Sequence, residues 1–106
     1  NDVNVLRNLM LLQLQAQQFE KAATLSEEAL AFYPAQAVFY LVYGVAQNGL
    51  GNAQQAVDYL EMGVDYVIEN PQMQADFYSE LARGYQALGN AEKAAEYRTR
   101  LKNLTQ

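Results

Sequence analysis

Histidine and cysteine, the two side chains that carry most general-base and nucleophilic chemistry, are both absent from this chain of 106 residues. Without them there is no imidazole base, no thiolate, no Ser-His-Asp arrangement and no zinc site of any common ligand set. Carboxylates and phenols remain. Asp58, Glu61, Asp65 and Glu69 recur at i, i+3, i+7 and i+11, which on a helix forms one acidic ridge. A hard cation needs a converging set of oxygen ligands, and no glycine-containing ligand loop accompanies these four, so the ridge reads as a solvated face. Asp76 and Glu80 share a helical face, but nothing around them supplies the sugar cleft that a glycosidase-type pair requires. The chain is therefore expected to be non-enzymatic, with no metal and no cofactor.

Charge narrows the partners. Seven basic and 12 acidic residues give 7 − 12 = −5, and no basic residue occurs between Lys21 and Arg83. Phosphate binding needs a basic stripe that displaces counterions, so a nucleic-acid partner is not expected. Arg98, Arg100 and Lys102 suit the negative end of a helix dipole without any ligand. The 8 tyrosines are read as interhelix packing with hydroxyls reaching water rather than as base-stacking platforms. No apolar run of about 18 residues offers a membrane span. With 51% hydrophobic and 18% charged residues, the chain lies in the globular range, and packing alone must hold its core.

The elements that position these groups are all helices. The apolar spacing is helical almost throughout, and Pro34, Gly49, Gly51, Pro71 and Gly89 divide it into six segments, about 3–16, 19–32, 36–49, 53–69, 72–87 and 91–104. Two joints share one chemistry. In Leu50-Gly51-Asn52-Ala53 and Leu88-Gly89-Asn90-Ala91 a glycine can take the left-handed conformation that ends one helix, and an asparagine can cap the next. Aligning Ala22, Ala56 and Ala94 gives spacings of 56 − 22 = 34 and 94 − 56 = 38, an internal repeat.

On these residues the chain resembles a tetratricopeptide repeat (TPR) array, whose unit is a 34-residue pair of helices. The first helices carry Leu6, Leu9-Met10 and Gln13; Tyr40, Tyr43-Gly44 and Gln47; and Tyr78, Leu81-Ala82 and Tyr85, while Pro34 falls where the family places its proline. The resemblance implies an all-α fold: an α-solenoid of three TPR helix-turn-helix repeats, about 3–36, 37–74 and 75–106, forming one domain over 1–106 and a right-handed superhelix. The middle unit is four residues too long, and its second helix is expected to run about one turn beyond the norm. The segment Glu69 to Tyr78 is similar to one found in bacterial TPR proteins, often exported ones, which leans the localisation towards a bacterial exported or periplasmic protein, with cytoplasmic as the alternative.

The resemblance further implies a binding scaffold whose concave wall is lined by the first helix of each unit. On this sequence that wall includes Arg7 and Leu11, then Val38, Leu41, Val42 and Val45, then Asp76, Glu80 and Arg83. Val38, Leu41, Val42 and Val45 stand at i, i+3, i+4 and i+7, opposite the packing face formed by Tyr40, Tyr43 and Gly44, so this middle helix is apolar all round. The expectation is that a protein or peptide segment lays apolar anchors on that stripe. A carboxylate clamp of the chaperone-tail-binding kind is excluded, because Leu11, Val42, Asp76 and Glu80 occupy the positions matching its cations and amides, and only Arg7 fits.

The first helix carries one more signal. Val3, Val5, Leu6, Leu9, Met10, Leu12 and Leu14 fill an arc of roughly 200°, too wide for the polar end cap a solenoid needs. Either further repeats precede Asn1 or this face pairs with a second copy, a homodimer through the first helix. The alternative to segment capture is accordingly a structural or assembly element.

Overall fold

The computed structural model describes residues 2–104; Asn1, Thr105 and Gln106, the last two at the end of the expected third repeat, lie outside the described residues. Among the described residues there are six helices and no strand: α1 (Val3–Gln15), α2 (Phe19–Phe32), α3 (Ala37–Gly49), α4 (Ala53–Val64), α5 (Pro71–Ala87) and α6 (Ala91–Leu104). Consecutive helices pack on one another as hairpins, the arrangement of a helical-hairpin repeat solenoid.

The same turn closes each hairpin. The N–H groups of Gln18, Asn52 and Asn90 reach back five residues to the carbonyls of Gln13, Gln47 and Tyr85, at 2.8, 2.8 and 2.9 Å, and the residue before each is left-handed, the Schellman arrangement. Gly51 (φ 81°) and Gly89 (φ 76°) adopt that conformation without strain, whereas Gln17 holds it at φ 58° with a Cβ. Asn90 caps α6 by accepting from Lys93 N at 3.1 Å. Asn52 does not cap α4: its Nδ2 donates to Gln47 Oε1 at 2.8 Å instead, tying the turn to the helix it leaves.

The inner row is α1, α3 and α5, each adjoining the next; the outer row is α2, α4 and α6, whose backbones contact the inner helices rather than one another. Two cores result. Met10, Ala22, Phe39, Val42 and Tyr43 fill the first, between the α1–α2 hairpin and α3. Ala56, Leu60, Phe77, Leu81 and Tyr97 fill the second, around α4, α5 and α6. Ala22, Ala56 and Ala94, the repeat's crossing alanines, are all completely buried.

The expected extension of α4 to residue 69 does not form, and the helix ends at Val64. Its last bonds tighten to three-residue spacing (Tyr66 N to Gly63 O, 3.0 Å; Val67 N to Val64 O, 3.3 Å). β-Branched Val67 and Ile68 then disfavour helix, Glu69 turns left-handed at φ 47°, and Asn70, held out of the helical region by the following proline, caps α5 through Met73 N at 3.0 Å. The excess residues make an irregular strap into α5 instead, with Tyr66 stacked on Tyr40 at 5.6 Å between ring centroids. The acidic ridge is broken by the same event: Asp58 and Glu61 stay on α4, Asp65 is its C-cap and Glu69 lies beyond it.

At the α3–α4 crossing Gly63 lies directly against Tyr40, so that a Cβ there would overlap Tyr40 Cβ, an atom fixed to its own backbone. Gly63→Ala should lower unfolding free energy by about 1–3 kcal/mol in denaturant titrations, as overpacking does elsewhere. Gln17→Gly should raise it by about 1 kcal/mol, the cost of a left-handed conformation at a residue with a side chain.

Candidate binding groove

α3 is the one inner helix with another inner helix on either side, and its fourth face forms the floor of a groove. The cavity, about 210 Å³, is lined by Leu11 and Leu14 of α1, by Val38, Leu41, Val42 and Val45 of α3, and by Asp76, Ser79 and Glu80 of α5. Seven of the nine predicted wall residues thus meet at one place. Val42 differs from the open stripe expected of it: at 1% exposure it belongs to the first core, in one cluster with Met10, Phe39 and Tyr43. Val38, Leu41 and Val45 remain half-buried and Leu11 is exposed.

Arg7 and Arg83 do not line this cavity. Arg7 is exposed on α1 one turn before Leu11, and Arg83 turns into the next depression beside Ser79, Gln86 and Arg98, its guanidinium 3.8 Å from Glu80. The α5 rim is fixed by hydrogen bonds. Asn48 Nδ2 donates to Glu80 Oε1 at 3.0 Å and to the Glu80 carbonyl at 3.1 Å, and Gln72 Nε2 donates to Asp76 Oδ1 at 3.0 Å. The groove therefore has an aliphatic floor and one acidic edge. Leu14 was assigned to the apolar arc of the first helix rather than to this wall, and Asn48 was not singled out, although each continues a wall stripe at i+3, from Leu11 and from Val45.

A second constellation lies behind α5, away from the groove. Glu61, half-buried on α4, accepts hydrogen bonds from Tyr85 Oη at 2.7 Å and Tyr97 Oη at 2.5 Å. The two rings stack, with centroids 6.0 Å apart, and the Arg100 guanidinium lies over Tyr97 at 5.1 Å. Burial above all, and then the bond to the Glu61 carboxylate, pushes both phenols up from the ordinary tyrosine range. Among the described residues no cluster of three acidic groups converges as a metal site, and no helix is long and apolar enough to cross a membrane.

Comparison with protein-family models, with curated proteins and with solved structures finds no match to this chain.

The Glu61 lock yields a pH dependence of definite sign. The folded state favours protonated phenols, so their stabilisation is complete below the unfolded tyrosine value, about pH 10, and is lost as pH rises through the higher folded values. Thermal unfolding followed by circular dichroism should show stability falling above about pH 10, and the fall should be shallower in Tyr85→Phe/Tyr97→Phe. At neutral pH Glu61→Ala should cost about 2 kcal/mol, the scale of hydrogen bonds to a charged acceptor.

Proposed function

We propose that this chain is a non-catalytic, TPR-type interaction scaffold that binds a segment of another protein in the groove over α3. The observation that carries the reading is the half-buried aliphatic floor of Val38, Leu41 and Val45, open to solvent and walled by α1 and α5. Covering such side chains contributes roughly 25 cal/mol per Å² of apolar surface, and a groove between parallel walls is a shape that takes a peptide segment. Asp76 and Glu80 stand on the α5 rim with donors from neutral amides, and among the described residues the cation paired with either is the largely exposed Arg83, beside Glu80. A bound segment with apolar anchors and a basic residue on that side complements both features.

The absence of histidine and cysteine supports a binding role over a catalytic one, since it removes the imidazole base and the thiolate that most nucleophilic sites use.

A displayed random-peptide library selected on the immobilised protein tests this. Enriched peptides should carry two apolar residues three or four apart and a Lys or Arg flank, and should lose affinity at least about tenfold, or roughly 1.4 kcal/mol, on Leu41→Asp and on Leu11→Asp. Leu11 is exposed, so its substitution leaves the fold intact. Peptides that bind both variants as tightly as the original would place recognition elsewhere.

A further inference from the structure

The groove lies inside the row of inner helices rather than at either end of it, and its two walls differ in kind. Leu11 and Leu14 on the α1 side are aliphatic, whereas Asp76 and Glu80 on the α5 side stand at i and i+4, one turn apart on the same helical face. The two carboxylates are not equivalent. Asp76 is exposed and takes its hydrogen bond from Gln72 of its own helix. Glu80 is held from the floor. Asn48 continues the stripe of Leu41 and Val45 on α3, and its Nδ2 donates to both the Glu80 carboxylate, at Oε1, and the Glu80 carbonyl.

This double donation ties the backbone and the tip of one acidic side chain to the neighbouring helix. The Glu80 side chain is only 19% exposed, and among the described residues no hydrogen bond ends on its Oε2. An amide supplies a dipole and no charge, so a full negative charge stands in a partly desolvated place beside an aliphatic floor. The cation paired with it is a poor match. Arg83 Nη1 lies 3.8 Å from Oε1, the oxygen that Asn48 already holds, and its side chain is 61% exposed. That separation is outside hydrogen-bonding range, and an exposed pair of this kind contributes little.

Building on the segment-capture reading above, we propose that Glu80 is the specificity-determining residue of the groove: through Oε2 it pairs with an arginine or lysine of the bound segment, next to the apolar anchor that the segment sets on Leu41 and Val45. Asn48 is the positioning residue that aims the carboxylate, and Arg83 is an internal counter-charge that the segment's cation displaces. Charge complementarity selects this occupant. The lining holds two acids and no basic residue, so an acidic segment is repelled. A wholly apolar segment would cover Glu80 without supplying a counter-charge, a desolvation cost that disfavours it, whereas a cation turns the same burial into attraction.

Peptides enriched on the wild-type chain from a displayed random library, synthesised with their Lys or Arg and again with Gln in its place, test the assignment. Their Kd values are measured by fluorescence anisotropy on each variant, with circular dichroism confirming the helical fold. On the wild-type chain the cationic form should bind about tenfold more tightly than its Gln twin, the scale of a hydrogen bond to a charged group. Glu80→Gln keeps the shape and the acceptor for Asn48, and it should erase that ratio while leaving the Gln twin's Kd unchanged. Asn48→Ala should shrink the ratio several-fold, again with the Gln twin unaffected, whereas a loss of packing alone would weaken both forms alike. Arg83→Ala should tighten the cationic form about two- to fivefold by removing its competitor. A ratio that survives Glu80→Gln, an Asn48→Ala variant that weakens both forms equally, an Arg83→Ala variant that does not tighten the cationic form, or enriched peptides without a basic residue would each overturn the proposal and leave segment capture standing. A library that yields no peptide sensitive to Leu41→Asp would overturn both.

Discussion

The close crossing of α3 and α4, where Gly63 lies against Tyr40 and Gly44 lies beneath Leu60, fixes the position of nearly everything else. It draws α4 onto the outer side of α3, beside α2, which leaves the flanking faces for α1 and α5 and the inner one for the groove. The same approach holds the Tyr40 ring where its hydroxyl donates to the Pro34 carbonyl at 2.8 Å and its face receives Tyr66. One aromatic side chain thus joins the end of the first hairpin, the middle helix and the strap that leads into α5. Interiors this tightly packed do not deform continuously, so the two glycines fix how closely α3 and α4 approach.

Much of this was readable because the informative signals are local. Glycine followed by asparagine, repeated at equivalent positions, marks two hairpin turns through backbone conformation alone, and apolar spacing marks the helices between them. The third turn was placed at 17–18 by the repeat register alone, since Gln17 takes the left-handed position there without the glycine that marks the other two. The end of α4 was misread because carboxylates at helical spacing look the same whether or not the chain stays helical. What decides is the conflict between β-branched Val67-Ile68 and the Asn70-Pro71 cap that follows.

Long-range pairings were not legible. Glu61 meets Tyr85 and Tyr97 across 24 and 36 residues, and in the sequence it is simply one of several acids on a polar stripe. Its role depends on two phenols arriving from other helices. Val42 illustrates the opposite error: spacing places it correctly on the inner face of α3, but the depth to which α1 and α3 approach is a packing outcome that spacing does not carry. Its burial turns a stripe of four into a floor with three accessible side chains.

The two ends of the solenoid differ in a way that bears on the groove. α6 is held by stacked tyrosines, the Glu61 lock and Arg98 Nη2 donating to Gln86 Oε1 at 2.8 Å. α1 buries only Met10 completely and leaves most of its apolar surface open. Local stability follows buried apolar contact, so α1 is the element with the least holding it in place. Yet α1 supplies Leu11 and Leu14 to one wall of the groove while presenting Val5, Leu9 and Leu12 outward. The wall that α1 supplies is therefore the least firmly held side of the groove.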